Sequence, residues 1–255
     1  MQIALGLTKT AFRPRILGVP EEMFHLFLGL VVAPVLALVP FLHLMGWFFQ
    51  ALVHEMGHTA ASWLVGVPAT PALGITAEAA TVHGEQFLLL TLIAWGALVF
   101  GSFRLADGPF RYGALALLAV LYPILAFTSL RESWQVMAGH FFELIVGGLF
   151  LGRALTGGLS HHYTHNQIER GLYSILGWFL IGRNLLLAGG LVGSASVRAE
   201  YASNGSFGIE NDYMRLVELW SMPLQSIGMI MAVLSSIVAP IVVARWMMKR
   251  GEPLR

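Results

Sequence analysis

The sequence contains no cysteine and very little charge. Of its 255 residues, 11% are Asp, Glu, Lys or Arg, whereas a soluble domain carries about 25%. The absence of cysteine excludes thiolate metal ligands, cysteine nucleophiles and disulfides. The 15 basic residues are balanced by 14 acidic ones, so no basic surface is available for nucleic acid. The composition therefore excludes a soluble globular enzyme and a nucleic-acid-binding protein, and we expect the lipid bilayer to be a partner.

Long uncharged runs dominate the sequence, in which 56% of the residues are hydrophobic. Residues 23–53 and 219–244, for example, contain no Asp, Glu, Lys or Arg. A membrane-spanning helix needs about 20 mostly apolar residues, and these runs are too long and too continuously apolar for barrel strands. We therefore predict an all-α fold, a polytopic transmembrane helical bundle with about six to seven spans. The predicted segments are 23–45, 47–66, 87–103, 112–130, 134–153, 172–193 and 223–246.

We interpret residues 1–255 as a single integral membrane domain, with a cytoplasmic or interfacial segment at 1–22 and a polar loop at 194–222. The first run is expected to break near Pro40, because proline removes an amide donor, and Gly46 is expected to help the chain turn. Basic residues concentrate on the side of the C-terminus if all later segments span. This predicts a bacterial-type inner (cytoplasmic) membrane protein with a cytoplasmic C-terminus. The basic N-terminus favours the same side, so one of the first two segments is expected to be re-entrant or partial.

The strongest chemical motif is His54-Glu55-Met56-Gly57-His58, which has the pattern HExxH and lies in an apolar helical segment. Residues four apart share a helix face, so His54 and His58 can bind one metal ion together. Neutral imidazoles with open coordination positions suit Zn²⁺. Glu55 lies beside the pair and can accept a proton from the attacking water and return it to a leaving group. Ionisable groups are costly in an apolar helix, which favours this interpretation over a satisfied polar helix contact.

A catalytic zinc site usually has three protein ligands, and the fifth segment contains two candidates for the third. His140 and Glu143 are three residues apart in an apolar run, which places them on one helix face. Glu143 is the first choice; His140 is the second, as a ligand or as an orienting and transition-state-stabilising group. The alternative for Glu143 is an ion pair with Arg183, the lone charge of the sixth segment. Asp212 is a weaker candidate, because charges in polar loops are usually solvated, so Glu143→Ala should weaken metal binding more than Asp212→Ala.

A second histidine motif, His161-His162-Tyr163-Thr164-His165, follows two glycines. One interpretation is a solvated cluster at the membrane surface. The other joins it to the HExxH helix and the fifth segment as a multi-histidine dimetal site, of the kind that binds iron in membrane desaturases and hydroxylases. Those enzymes use HxxxH and HxxHH boxes, whereas this motif reads HHxxH, and nine histidines are few for such a ligand set.

The HExxH helix resembles the site-2 protease family of intramembrane zinc metallopeptidases, with a match around residues 51–58. The resemblance implies that the two histidines of the motif bind zinc and that Glu55 is the general base. The family usually takes its third ligand from an Asp-Gly motif in a later span. The only Asp-Gly here, Asp107-Gly108, lies in a short charged loop, so either the third ligand differs or the chain is a divergent branch of the family.

Three functions are consistent with the sequence. The first is an intramembrane zinc metalloprotease that cleaves a membrane-embedded or juxtamembrane peptide of a membrane protein by metal-activated water. The second is a histidine-rich membrane di-iron oxygenase or desaturase, and the third is a non-catalytic accessory subunit of a membrane complex. Metal content distinguishes the first two, and a Glu55→Gln variant distinguishes the third. In the first case the loop at 66–86, which follows the metal helix, is expected to line substrate entry.

Overall fold

The computed structural model describes residues 15–74, 79–105, 108–156, 167–203 and 211–251. Within these ranges the chain forms nine helices and two short antiparallel hairpins, so the predicted all-α class is confirmed. The helices are α1 Glu21–Leu38, α2 Pro40–Leu64, α3 Leu88–Leu105, α4 Gly108–Phe127, α5 Leu130–Thr156, α6 Gln167–Gly193, α7 Ala195–Ser203, α8 Asp212–Trp220 and α9 Leu224–Gly251. The strands are β1 Arg15–Ile16, β2 Val19–Pro20, β3 Ala69–Leu73 and β4 Ala79–His83.

Four helices, α4, α5, α6 and α9, are long and apolar enough to cross a membrane. Helices α1 and α2 meet the same criteria only as a pair, and the chain bends by 106° between them. Helix α3 is apolar but shorter. The protein therefore has the helices of an integral membrane protein, with four candidate spans, or five if the bent pair is one span. The predicted number of six to seven spans is not confirmed.

The break in the first apolar run lies where the sequence predicts it. Helix α1 ends at Leu38, and Pro40 is the first residue of α2. Proline fits the first turn of a helix because its missing N–H would have no partner there. The prediction for Gly46 is wrong, since this residue lies inside α2 and makes no turn. A Cβ atom at Gly46 would lie 2.7 Å from the ring of Phe179 in α6, so the glycine instead permits close packing of the two helices.

The predicted polar loop at 194–222 contains two helices, α7 and α8, in its described part. Helix α8 is amphipathic, and its apolar side buries Tyr213 and Leu216 completely against the bundle. The polarity of the segment therefore reflects one exposed helix face rather than an absence of regular structure.

Helix α5 lies at the centre of the bundle, where it packs against α2, α6, α8 and α9. Glycines permit two of these contacts. A Cβ atom at Gly57 of α2 would lie 2.5 Å from the carbonyl oxygen of Ala138, and one at Gly177 of α6 would lie 2.9 Å from that of Gly147. Because the backbones approach so closely, the HExxH turn of α2 lies directly against α5.

The β3–β4 hairpin follows α2 and packs back against it. Its register pairs Ala69 with His83 and Leu73 with Ala79. The Trp63 indole of α2 donates a hydrogen bond to the Ala69 carbonyl (2.8 Å), and Thr81 of β4 contacts Glu55. The hairpin therefore lies over the face of α2 that carries the acidic residue of the motif.

Candidate metal centre

Polar side chains recur at every fourth residue along one face of α2: Gln50, His54, His58 and Ser62. A helical turn contains 3.6 residues, so these four side chains form one ridge. Each of the four has a hydrogen-bond contact with a residue of α5. The ridge therefore faces the central helix, and the two histidines lie in its middle.

Hydrogen bonds fix the orientation of both histidine rings. Nδ1 of His54 donates to Oε1 of Glu143 (2.8 Å), and Nδ1 of His58 donates to the carbonyl oxygen of Gln135 (2.7 Å). With Nδ1 engaged in this way, Nε2 is the nitrogen of each ring that can bind a metal. The two Nε2 atoms lie 3.0 Å apart.

Asp212, the first residue of α8, completes this cluster. Its Oδ2 atom lies 2.9 Å from Nε2 of His54 and 3.2 Å from Nε2 of His58. Burial alone would raise the pKa of Asp212, but the hydrogen bonds to His54 and His58 outweigh this effect and hold the pKa well below its usual range. The side chain is therefore a carboxylate, the form that binds metal ions.

The dimensions of this cluster fit a zinc ion. Tetrahedral zinc with bonds of about 2.0–2.1 Å holds its ligand atoms roughly 3.3 Å apart, and the three separations here are 2.9, 3.0 and 3.2 Å. Gly139 of α5 leaves the neighbouring space open. A Cβ atom at this position would lie 2.5 Å from Nε2 of His54 and 2.6 Å from Nε2 of His58. His54, His58 and Asp212 could thus hold one metal ion beside the backbone of α5.

Glu143 contacts the opposite side of the His54 ring. Its carboxylate accepts hydrogen bonds from Nδ1 of His54, from the Asn184 amide and from Gln50. The predicted alternative, an ion pair with Arg183, does not occur among the described residues; Arg183 donates to Gln50 instead. This arrangement favours Glu143 as the residue that orients His54, and it favours Asp212, the weaker candidate from the sequence, as the third ligand.

His140 lies at the edge of the cluster. The Asn184 amide donates to Glu143 and to the Leu180 carbonyl, so its oxygen accepts a hydrogen bond from Nδ1 of His140 (3.0 Å). Nε2 of His140 then faces the cluster and lies 3.9 Å from Oδ2 of Asp212. A second group of possible ligands consists of His54, His140 and Glu143. It shares His54 with the first group.

Glu55, the expected general base, is buried next to the two histidines. Thr81 of β4 donates a hydrogen bond to its Oε2 atom (2.6 Å) and is the hydrogen-bond partner of this carboxylate among the described residues. The hairpin therefore holds one oxygen of Glu55 in place. Glu55 also lines the same cavity as His54 and His58.

A cavity of about 1260 Å³ connects these groups to one end of the bundle. Trp47 and Arg183 line it on α2 and α6, and Arg131 and Glu132 line it at the start of α5. Residues 72–74, 79–81 and 83–86 also line this cavity. The segment expected at the substrate entrance therefore lies at the cavity, as a hairpin rather than an open loop.

Helix α8 is attached to the bundle at several points, which fixes the position of Asp212. Arg215 donates to Glu132 of α5 through Nε (3.0 Å), and Asn211 donates to the Tyr201 carbonyl (2.6 Å). The Tyr213 ring packs against His140 at a tilt of 36°, with ring centroids 4.4 Å apart. A carboxylate of α8 is thereby held against two histidines of α2.

The histidine motif at 161–165 and the Asp107 loop lie outside the described residues. Two further residues at the site, Asn184 and Gly139, were not predicted from the sequence. Asn184 could have been noticed as an amide within an apolar run, and Gly139 as the residue directly before a candidate ligand.

Comparisons with known proteins give no further constraint: no protein-family model, curated protein or solved structure matches the chain.

Proposed function

We propose that this protein is a zinc-dependent intramembrane metalloprotease that cleaves a membrane-embedded or juxtamembrane peptide. The observation that carries the proposal is the convergence of His54, His58 and Asp212 on one point, within a cavity that also contains a buried carboxylate, Glu55. A zinc ion bound there would act as a Lewis acid that activates water and polarises the scissile carbonyl.

The chain's own residues account for the proton transfers. Glu55 is the only carboxylate of the HExxH turn, and its oxygen bonded to Thr81 leaves the other oxygen for the attacking water. Glu55 would take a proton from that water and return it to the leaving amide nitrogen. Glu143 and Gln135 keep the two imidazoles oriented through their Nδ1 atoms. His140 lies next to the reacting groups, in a position to orient the substrate carbonyl.

The cavity supports a peptide as the substrate. Its volume of about 1260 Å³ exceeds the roughly 300–1,000 Å³ of small-molecule sites. Its lining combines the β3–β4 hairpin with polar groups at the start of α5, so water and an extended chain can both reach Glu55 from this end. An iron oxygenase would need a second set of metal ligands, whereas the two described ligand groups share His54.

The test is hydrolysis in ¹⁸O-labelled water by the purified protein in detergent, with a mixture of hydrophobic peptides analysed by mass spectrometry. We expect one zinc per chain and ¹⁸O in newly formed carboxyl termini. Glu55→Gln should keep the zinc and lose the labelled products. Equal cleavage by this variant excludes Glu55 as the base, and two irons per chain would contradict the proposal.

We further propose an inner-membrane location of bacterial type with a cytoplasmic C-terminus. Arg153 at the end of α5 pairs with Glu169 at the start of α6 (2.9 Å), so both residues lie at one end of the bundle. Gly148 of α5 faces Val238 and Val242 of α9, which supports the same end for Lys249. The positive-inside tendency makes this end cytoplasmic, and the cavity then opens toward the opposite side.

The absence of cysteine makes this orientation directly testable. Single cysteines at Lys249 and Ser203 can be labelled in intact cells with a membrane-impermeant maleimide. We expect labelling at Ser203 before lysis and at Lys249 only after lysis; the reverse pattern would overturn the orientation.

A further inference from the structure

Arg183 is a cation inside a candidate membrane span without a carboxylate partner in the described part of the chain. Its Nε atom donates to Oε1 of Gln50 (3.1 Å), and its guanidinium carbon lies 5.6 Å from the ring centroid of Trp47. Neither Nη nitrogen has a hydrogen-bond partner among the described residues. Because Arg183 lines the cavity, these donors are available to a molecule that enters it.

The carboxylate nearest in the hydrogen-bond network does not need Arg183. Glu143 already accepts hydrogen bonds from His54, Asn184 and Gln50, which are contributed by two other helices. Gln50 therefore separates the guanidinium from Glu143, accepting from the first and donating to the second. Arg183 is held in a defined position by Gln50 and Trp47, while its two Nη groups have no hydrogen-bond partner within the described ranges.

A guanidinium with two free Nη groups matches the geometry of a carboxylate, which it can bind through two parallel hydrogen bonds. At membrane depth such a pair is strengthened, because water competes poorly for the charges and an isolated cation is costly. Arg183 donates a hydrogen bond to Gln50, which precedes His54 by one turn of α2. An anionic group bound here would thus be near the proposed reaction site.

We infer that Arg183 forms a subsite that binds a carboxylate of the peptide substrate in the cavity. This inference rests on the proposed function for the identity of the ligand as a peptide. The carboxylate has two sources, an Asp or Glu side chain within the peptide or a free carboxyl terminus. Either source gives the protein a preference for acidic over neutral peptides that does not depend on the cleavage step.

The experiment measures binding rather than cleavage. Fluorescently labelled, leucine-rich peptides are titrated with the zinc-loaded Glu55→Gln protein in neutral detergent, and anisotropy gives Kd. Three peptides share one length: one with an internal Glu and an amidated terminus, one with Gln in its place, and one with Gln and a free carboxyl terminus. We expect one of the two acidic peptides to bind about tenfold or more tightly than the neutral one.

Additional variants assign the preference to this residue. Arg183→Gln should remove the difference between acidic and neutral peptides, and Arg183→Lys should reduce it, because a lysine keeps the charge without the planar pair of donors. Arg170→Gln is the matched control, since Arg170 belongs to the same helix outside the cavity lining; it should keep the preference. If Arg183→Gln does not fold, the peptide series with the Lys variant decides the question.

Equal binding of all three peptides to the protein with Arg183 overturns the inference, and so does a preference that persists in Arg183→Gln. Arg183 could instead affect the binding of phosphatidylglycerol in mixed detergent micelles, with no preference among the peptides. This result would assign Arg183 to an anionic lipid and would also overturn the inference. A charge preference without any peptide hydrolysis would retain the subsite while the proposed function fails. Peptide hydrolysis without a charge preference would support the proposed function and overturn the subsite.

Discussion

Substitution of Gly139 by alanine should strongly weaken metal binding without unfolding the protein. The added Cβ atom would lie 2.5 Å from Nε2 of His54 and 2.6 Å from Nε2 of His58. Ordinary van der Waals contact begins near 3.4 Å, so each ring would have to move by about 0.8–0.9 Å. Metal–ligand distances in working sites vary by only about ±0.2 Å, so this displacement is several times larger than a zinc site tolerates.

The same substitution has a small effect on folding. Alanine is favoured over glycine inside a helix by about 0.5–1 kcal/mol, whereas overpacking costs about 1–3 kcal/mol. The net loss of about 0–2.5 kcal/mol should leave the metal-free protein folded. Gly189→Ala is the matched control, because a Cβ atom at this position of α6 meets no other atom within 4 Å.

The assay is a titration with Co²⁺, whose absorption bands report tetrahedral coordination, together with zinc content by mass spectrometry and circular dichroism of the purified variants. We expect Gly139→Ala to weaken metal binding by more than the roughly 10–100-fold typical of losing an outer hydrogen-bond partner. Gly189→Ala should behave as the unmodified protein. If Gly139→Ala binds cobalt with unchanged affinity and spectrum, the metal does not lie at the Nε2 atoms of His54 and His58.

Two further predictions concern the ligands and the base. Asp212→Ala should weaken zinc binding by more than about 100-fold, and Glu143→Gln by about 10–100-fold, because Glu143 acts through the His54 ring. Competition with a chelator measures both affinities. The opposite order of the two effects would restore Glu143 as the ligand. Thr81→Val should keep the zinc but slow hydrolysis about 10–100-fold, since it releases the Glu55 carboxylate. Thr70→Val on the exposed side of β3 is its control, and an unchanged rate in Thr81→Val would show that the hairpin does not position the base.

Local sequence patterns predict those parts of the site that depend on helical spacing. The i, i+4 histidines of α2 and the i, i+3 pair His140 and Glu143 of α5 do share helix faces, and the two faces do meet. The break before Pro40 was also predictable, because proline limits the backbone covalently. Each of these features depends on a short stretch of chain.

Features that depend on tertiary contacts could not be predicted in this way. Asp212 lies in a polar stretch where a solvated charge is the reasonable expectation, and only the docking of α8 brings it to the histidines. A signal was nevertheless present. Tyr213, Leu216 and Val217 recur at helical spacing behind an acidic residue, which is typical of the first turn of an amphipathic helix. The predicted number of spans is not confirmed, because an apolar run does not reveal whether its helix crosses the bilayer or bends within it.

Removal of the metal should loosen the first turn of α8 while the centre of the bundle stays unchanged. Asp212 would keep only its hydrogen bonds to His54 and His58 in place of metal bonds, but α8 would stay attached through buried Leu216 and through Arg215, which donates to Glu132. Free zinc at 100 times its Kd stabilises the folded protein by about 2.7 kcal/mol. The metal would lie between α8 and α2, so its loss should affect the contact between these two helices most. We therefore expect amide hydrogen exchange to increase at 212–215 after chelation, while exchange at 144–151 in the buried part of α5 remains as before. If chelation leaves exchange unchanged at 212–215 as well as at 144–151, the carboxylate of α8 holds no metal. In that case the ligand would have to come from α5, and the order of the Asp212 and Glu143 variants would reverse with it.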